Sequence, residues 1–258
     1  MPKDTISLDR YLSHSMKNVP GFLRTLDAQV IRTLLLHQDE SSIHGHLCEI
    51  GVHHGRLFLM LALARRTGER ALAIDLFEDD PLNANTPHAG RDGGLWRHAR
   101  RLGIELSPEE IFKTSSVELE AADVMARTTG AIRFFSVDGG HSYHHVANDL
   151  RLAQKTLSPG GIIAVDDFFN IRWADVSFAT YDFLRSTDSV VPFAVTQTKI
   201  YLAPPAVAES YQASLRKRPE LGRFSSTEVL KHNVLELRQH PFSKGVDLLR
   251  AAVRERAS

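Results

Sequence analysis

The sequence predicts an α/β protein built on a seven-stranded, mostly parallel sheet with helices on both faces. Three observations predict it. From Ser42 onward, short apolar runs alternate with amphipathic stretches, the order that yields strand-helix-strand units joined by right-handed crossovers. A glycine turn, Glu49-Ile-Gly51-Val-His-His-Gly55-Arg, closes the first run and opens a helical pattern. Two later runs stop at carboxylates: Arg133-Phe-Phe-Ser-Val-Asp138-Gly-Gly-His141 and Gly161-Ile-Ile-Ala-Val-Asp166-Asp167. A continuous apolar run reads as a strand buried on both faces, and in open α/β sheets ligands bind outside the carboxyl ends of such strands.

The elements follow in order. Residues 1–40 carry Val30, Ile31, Leu34 and Leu35 at helical spacing and are expected to form a helical N-terminal cap. Strand-like runs then end near Ile50, Asp75, Lys113, Asp138 and Val165, with helical patterns over 56–66, 95–102, 117–127 and 143–157. A further helix is expected over 175–185. Residues 190–195 and 199–202 read as two closely spaced strands, and the short gap between them predicts antiparallel pairing at that edge. Ala203-Pro-Pro-Ala marks a break, after which a polar, helix-prone tail runs to Ser258, interrupted by Pro219 and Pro241. The division expected is a cap (1–40), a ligand-binding domain (41–204) and a helical C-terminal extension (205–258).

Composition excludes several classes. The 31 Lys and Arg residues balance 31 Asp and Glu, so no global field favours nucleic acid or an anionic membrane as partner. The longest apolar stretch, residues 57–64, is too short to span a bilayer, and Met1-Pro-Lys-Asp-Thr-Ile lacks the apolar core of a signal peptide. The single cysteine, Cys48, lies in a strand-like run and reads as a buried, inert thiol. A cytoplasmic location is the default these features leave.

The chemistry-bearing residues cluster at strand ends. Gly51 and Gly55 are spaced Gly-x-x-x-Gly, which permits a tight turn but differs from the Gly-x-Gly-x-x-Gly of pyrophosphate cradles and argues against a dinucleotide. Glu49, just before the turn, suits a ligand with a cationic amino group. Asp75 ends the next run, 20 residues after Gly55, where a carboxylate can accept both ribose hydroxyls of a nucleoside; a loop acid or helix N-cap is the plainer reading. Asp138, Asp166, Asp167 and His141 together suggest a small oxygen-rich centre for a hard divalent cation with a proton acceptor beside it.

These motifs resemble the class I S-adenosylmethionine-dependent methyltransferases. Asp138-Gly-Gly-His141-Ser-Tyr143-His-His-Val146-Ala-Asn-Asp149-Leu150, followed by Leu157-Ser-Pro-Gly-Gly-Ile-Ile-Ala-Val-Asp166-Asp167, resembles in particular the metal-dependent O-methyltransferases acting on macrolide and aminocoumarin sugars. The likeness covers roughly residues 43–202 and implies the Rossmann-like methyltransferase fold with S-adenosylmethionine and Mg²⁺, or a similar ion, as cofactors. It implies that Asp138, Asp166 and Asp167 are the metal ligands and His141 the general base. It further implies that Glu49, Gly51, Gly55, Asp75 and Asp138 belong to the cofactor site, with Ser115 or Ser116 passing the adenine. Two segments have no counterpart in that resemblance: Asp79-Asp80-Pro-Leu-Asn-Ala-Asn and the tail after Pro205.

Such a centre would make a hydroxyl more acidic by Lewis acidity while orienting it, and a histidine can then take the proton. The acceptor implied is a small molecule bearing a hydroxyl, sugar-like or another vicinal diol. Plainer readings stand beside this one. Asp166 and Asp167 could cap the next helix. His141 could bond a main-chain carbonyl, and His144 and His145 with it could suggest zinc. Trp173, and less so Trp96, could line the pocket, although a core or lid role competes for each. Two other functions remain open: a metal-independent methyltransferase on the same fold, and a non-catalytic cofactor-binding scaffold whose tail meets a partner or mediates homo-oligomer contacts.

Overall fold

A computed structural model describes residues 5–77 and 92–239. Its centre is one nine-stranded sheet in the order β3-β2-β1-β4-β5-β7-β6-β9-β8. The first five strands are β1 (His46–Ile50), β2 (Ala71–Asp75), β3 (Ile111–Lys113), β4 (Ile132–Val137) and β5 (Leu157–Val165). All five run parallel. The reason is visible in the residues: β4 is buried along its whole length, and Leu-Ala-Ile, Phe-Phe and Ile-Ile-Ala-Val leave no polar face for solvent, so both faces must be covered by helices. The covering helices are α3 (Arg56–Leu63), α4 (Asp92–Leu102), α5 (Ala121–Thr128), α6 (Tyr143–Thr156) and α7 (Ala174–Ser186). Two apolar clusters result, one on each face; Phe134 and Ile162 serve one, Phe135 and Ile163 the other. This is the period-two alternation of a strand.

The cap expected over 1–40 contains a short helical stretch, α1 (Leu8–Arg10), and the long α2 (Thr25–Glu40), whose Leu26, Val30, Ile31 and Leu34 are buried. The Tyr11 hydroxyl donates to the Arg56 carbonyl at 2.6 Å, and the Arg56 guanidinium donates back to the Val19 carbonyl at 2.7 Å, tying the cap to the start of α3. The expected antiparallel pairing is present, though inside the sheet and not at its edge: β7 (Ile200–Ala203) pairs antiparallel with both β5 and β6 (Val191–Val195).

Two expectations need correction. Among the described residues the sheet has nine strands, not seven. The C-terminal extension is helical only over α8 (Pro205–Arg216); beyond it, β8 (Arg223–Val229) and β9 (His232–Arg238) form a hairpin, with β9 parallel to β6. Val234, Leu235 and Leu237 are buried, so apolar contact overrides the polar character of the tail. The turn is Leu230-Lys231, both at positive φ (46° and 67°). Such turns usually carry Asn-Gly, and without that pair the hairpin had no local signal. Residues 240–258, and the motif from Asp79 with the rest of 78–91, lie outside the described residues.

Candidate active site

β1 leads outward to β2 while β4, its other neighbour, leads to β5, so the crevice between β1 and β4 is the switch point of the sheet. Gly51 sits there at φ 84°, and a Cβ on it would collide with the main-chain carbonyl of Asp138. Any other residue would wedge the two strand ends apart. Glu49, one residue inside β1, is 2% exposed, and its Oε2 has no hydrogen-bond partner. Burial pushes its carboxyl well above the usual range, with Lys199 pulling the other way. A cation beside this carboxyl would favour its charged form and draw that pKa back down.

Asp75 ends β2 and accepts the His53 N–H at 2.9 Å and the Phe77 N–H at 2.8 Å, binding the glycine turn to the next strand. Burial raises its pKa despite these donors. Gly55 starts α3 in the left-handed region. Ser115 and Ser116 follow β3; Ser116 is buried, and its carbonyl accepts Asn148 Nδ2 from α6 at 3.0 Å. Glu49, Gly51, Asp75 and Asp138 are therefore gathered at one end of the sheet. Ser115 and Ser116 are at the same end, next to α6.

The acid centre lies between the ends of β4 and β5, in a small cleft lined by Val137, Asp138, His141, Val165, Asp166 and Val176. Here the structure departs from the expected metal set. Asp166 is paired with Lys199: Nζ is 2.7 Å from Oδ2, and the lysine side chain is only 1% exposed. Burial works against a charged Lys199, but Asp166, then Asp138 and Asp27, push its pKa up. Asp138 is raised by burial and then by the Asp166 carboxyl beside it. The group of ligand atoms that does converge among the described residues is Asp138, His141 and Asp167, all within 4.8 Å of one another. His144 and His145 are not in it, so the three-histidine set does not form.

His141 does not bond a main-chain carbonyl. Its Nε2 is 3.0 Å from Oδ2 of Asp167, and its ring stacks on Trp173 at 4.5 Å with planes 12° apart. Burial would raise Asp167, but hydrogen bonds from His141 and Asn170 hold it below the usual carboxylate range. Asp167 stands at φ 57°, with its N–H bonded to Oδ1 of Asp166 at 2.9 Å. The aspartates do not cap α7, whose N-cap is Trp173.

Comparison with known proteins matches residues 48–168, just under half of the chain, to the family described as a methyltransferase domain. The chain carries a methyltransferase domain of the class I fold. A protein of Acanthamoeba polyphaga mimivirus, described only as uncharacterized, is 28% identical over 86 residues. That match covers 33% of this chain and 39% of the viral protein, so the chain spans about two fifths of that relative. Among solved structures, the O-methyltransferase NovP superposes with a TM-score of 0.57 at 14% identity, covering 68% of this chain and 79% of NovP. CalS11, described as a TDP-rhamnose 3'-O-methyltransferase of calicheamicin biosynthesis, gives 0.50 at 18% identity over 76% of this chain and 91% of its own. An O-methyltransferase from Bacillus cereus solved with SAH gives 0.51 at 16% identity over 76% and 89%. At these identities the likeness establishes the fold of the methyltransferase domain.

One residue of the centre escaped sequence reasoning. Lys199 opens an apolar run, and a charge at that place signals a buried partner. Once β5 and β7 are known to pair Val165 with Ile200, extending the antiparallel register by one residue sets Lys199 beside Asp166. Trp173 stacks directly on His141, a closer association than a core or lid role implies. No helix among the described residues is long and apolar enough to cross a membrane.

Proposed function

We propose that the protein is an S-adenosylmethionine-dependent O-methyltransferase acting on a hydroxyl of a small, sugar-like acceptor in the cytoplasm. The observation that carries this reading is the His141–Asp167 pair at the mouth of a methyltransferase domain. The described relatives NovP and CalS11 are O-methyltransferases, CalS11 one for a nucleotide sugar, and they support the acceptor class.

The cofactor fits the residues present. Glu49 offers a buried, unpartnered carboxylate oxygen to an ammonium, Gly51 lets the ends of β1 and β4 approach where a side chain would meet the Asp138 carbonyl, and Asp75 stands where ribose hydroxyls would meet it. Ser115 and Ser116 would border the adenine. Bound there, S-adenosylmethionine supplies a sulfonium methyl group open to attack by oxygen. His141 donates from Nε2 to Asp167, which leaves Nδ1 to take the hydroxyl proton while Asp167 stabilises the resulting imidazolium. Trp173 fixes the plane of the ring. With the hydroxyl proton held at Nδ1, these residues would keep the acceptor oxygen in line with the methyl group that a bound S-adenosylmethionine would supply, a matter of alignment.

The three-aspartate magnesium set is not supported, because Asp166 is engaged by Lys199. A second reading keeps a divalent ion: Asp138, Asp167 and His141 converge closely enough to hold one, although an imidazole among the ligands suits a softer ion than Mg²⁺. In that reading His141 holds the ion, not the proton. Turnover of a diol acceptor before and after EDTA treatment tests both. Full activity after chelation supports the His141–Asp167 base, loss restored by Mn²⁺ or Mg²⁺ supports the ion, and no methyl transfer to any hydroxyl acceptor overturns the proposal.

A further inference from the structure

Lys199 is a fully buried ammonium inside an acid centre, and the mechanism above does not use it. A lysine is almost never so buried unless paired. Its position is fixed from both sides. The Lys199 N–H donates to Thr196 Oγ1 at 3.0 Å, and the Thr196 N–H donates to the Lys199 carbonyl at 2.9 Å, closing the turn between β6 and β7. The hydroxyls of Thr196 and Thr198 donate to Asp27 of α2 at 2.5 and 2.9 Å. On the other side, Asp166 spends Oδ2 on the ammonium and Oδ1 on the Asp167 N–H. Asp167, in its left-handed conformation, then holds His141.

We propose that Lys199 is the resident cation of this centre: its ammonium takes the charge role of a divalent ion at Asp166, withdraws that carboxylate from any metal set, and positions the Asp167–His141 pair through it. Lys199 is thus a positioning residue. A divalent ion would have to bind beside a fixed positive charge with one carboxylate fewer, and cation affinity in oxygen-rich sites weakens as charged ligands are lost. Removing the ammonium returns Asp166 to the cluster and creates a divalent site. The catalytic consequence rests on the O-methyltransferase reading; the charge role does not.

The test is therefore ion binding, free of cofactor and acceptor. EDTA-treated wild type, Lys199→Met and the double variant Lys199→Met/Asp166→Asn are titrated with MnCl₂ and MgCl₂ by calorimetry, with thermal melts confirming folding. The wild type should show no saturable micromolar uptake. Lys199→Met should gain one site, about tenfold or more tighter than any wild-type binding, and the double variant should lose it. A micromolar site in the wild type that Lys199→Met leaves unchanged overturns the proposal, as does a folded Lys199→Met with no gain. If Lys199→Met does not fold, the wild type decides. A saturable site abolished by Asp166→Asn overturns the proposal, and the absence of any site upholds it. Failure of methyl transfer alone would leave these isotherms as stated.

Discussion

At the scale of single residues, the site sets a buried pair, Lys199 and Asp166, behind a half-exposed one, Asp167 and His141. His141 is steered by a carboxylate and a stacked indole, so its removal should affect the chemical step more than binding. If His141 is the general base proposed above, His141→Ala should lower kcat by about 10²–10⁴-fold with acceptor KM changed little. An unchanged kcat at neutral pH in steady-state assays would place the base elsewhere. Glu49 carries a second prediction. In the free protein its raised pKa favours the neutral acid, whereas a ligand ammonium needs the carboxylate, so binding must release a proton. S-adenosylhomocysteine should therefore bind more tightly as pH rises through that raised range, and Glu49→Gln should flatten the dependence; calorimetry at several pH values reads both. Asp138, Asp166, Asp167 and His141 were legible as a centre because apolar runs stop at them. Lys199 was not, because its partner is set by strand pairing and not by any local spacing.

At the scale of elements, the parallel strands were legible for a physical reason: strands buried on both faces must be written in apolar residues, and β1, β2, β4 and β5 are. The C-terminal hairpin was not, since β8 shows solvent most of its side chains and its turn lacks glycine. Its attachment to the sheet is testable. Leu235 is fully buried on β9, whose register pairs it with Ala194 of β6. Leu235→Ala should cost about 2–5 kcal/mol and lower the melting temperature of the whole protein in one cooperative transition. A separate early transition would show a hairpin that melts on its own. The glycine turn gives the complementary case. Gly51→Ala meets main chain that cannot retreat, so S-adenosylhomocysteine binding should be lost, whereas a variant binding normally would mean that the strand ends can part.

At the scale of the whole molecule, folding itself should respond to pH through buried acids outside the proton-accepting pair. Asp149 of α6 is fully buried, neither carboxylate oxygen makes a well-formed hydrogen bond among the described residues, and burial pushes its pKa up to about 6, against smaller pulls from the looser approaches of Ser116 and Asn148. A raised folded pKa means that the native state holds the proton more tightly than the unfolded chain. Its stabilising contribution is thus complete below the unfolded value near 4 and disappears as pH climbs through about 6. Asp149→Asn should remove about 3 kcal/mol of this pH-dependent change, flattening the stability difference over that window and raising the melting temperature at pH 7.5. Denaturant melts of both proteins across pH 4–8 provide the comparison; parallel curves would mean that the acid finds partners in solution.

The hydroxyl contacts from Thr196 and Thr198 to Asp27 have a consequence for anyone remodelling this protein. Helix α2 belongs to the N-terminal cap, a natural place to graft new acceptor preferences, yet it also anchors the turn that carries the buried ammonium. The cap is therefore not an interchangeable part. A chimera that imports a foreign cap without an acid at position 27 would free the lysine turn, and the loss would surface two strands away as a misaligned histidine. Cap and turn have to be transplanted as a matched set.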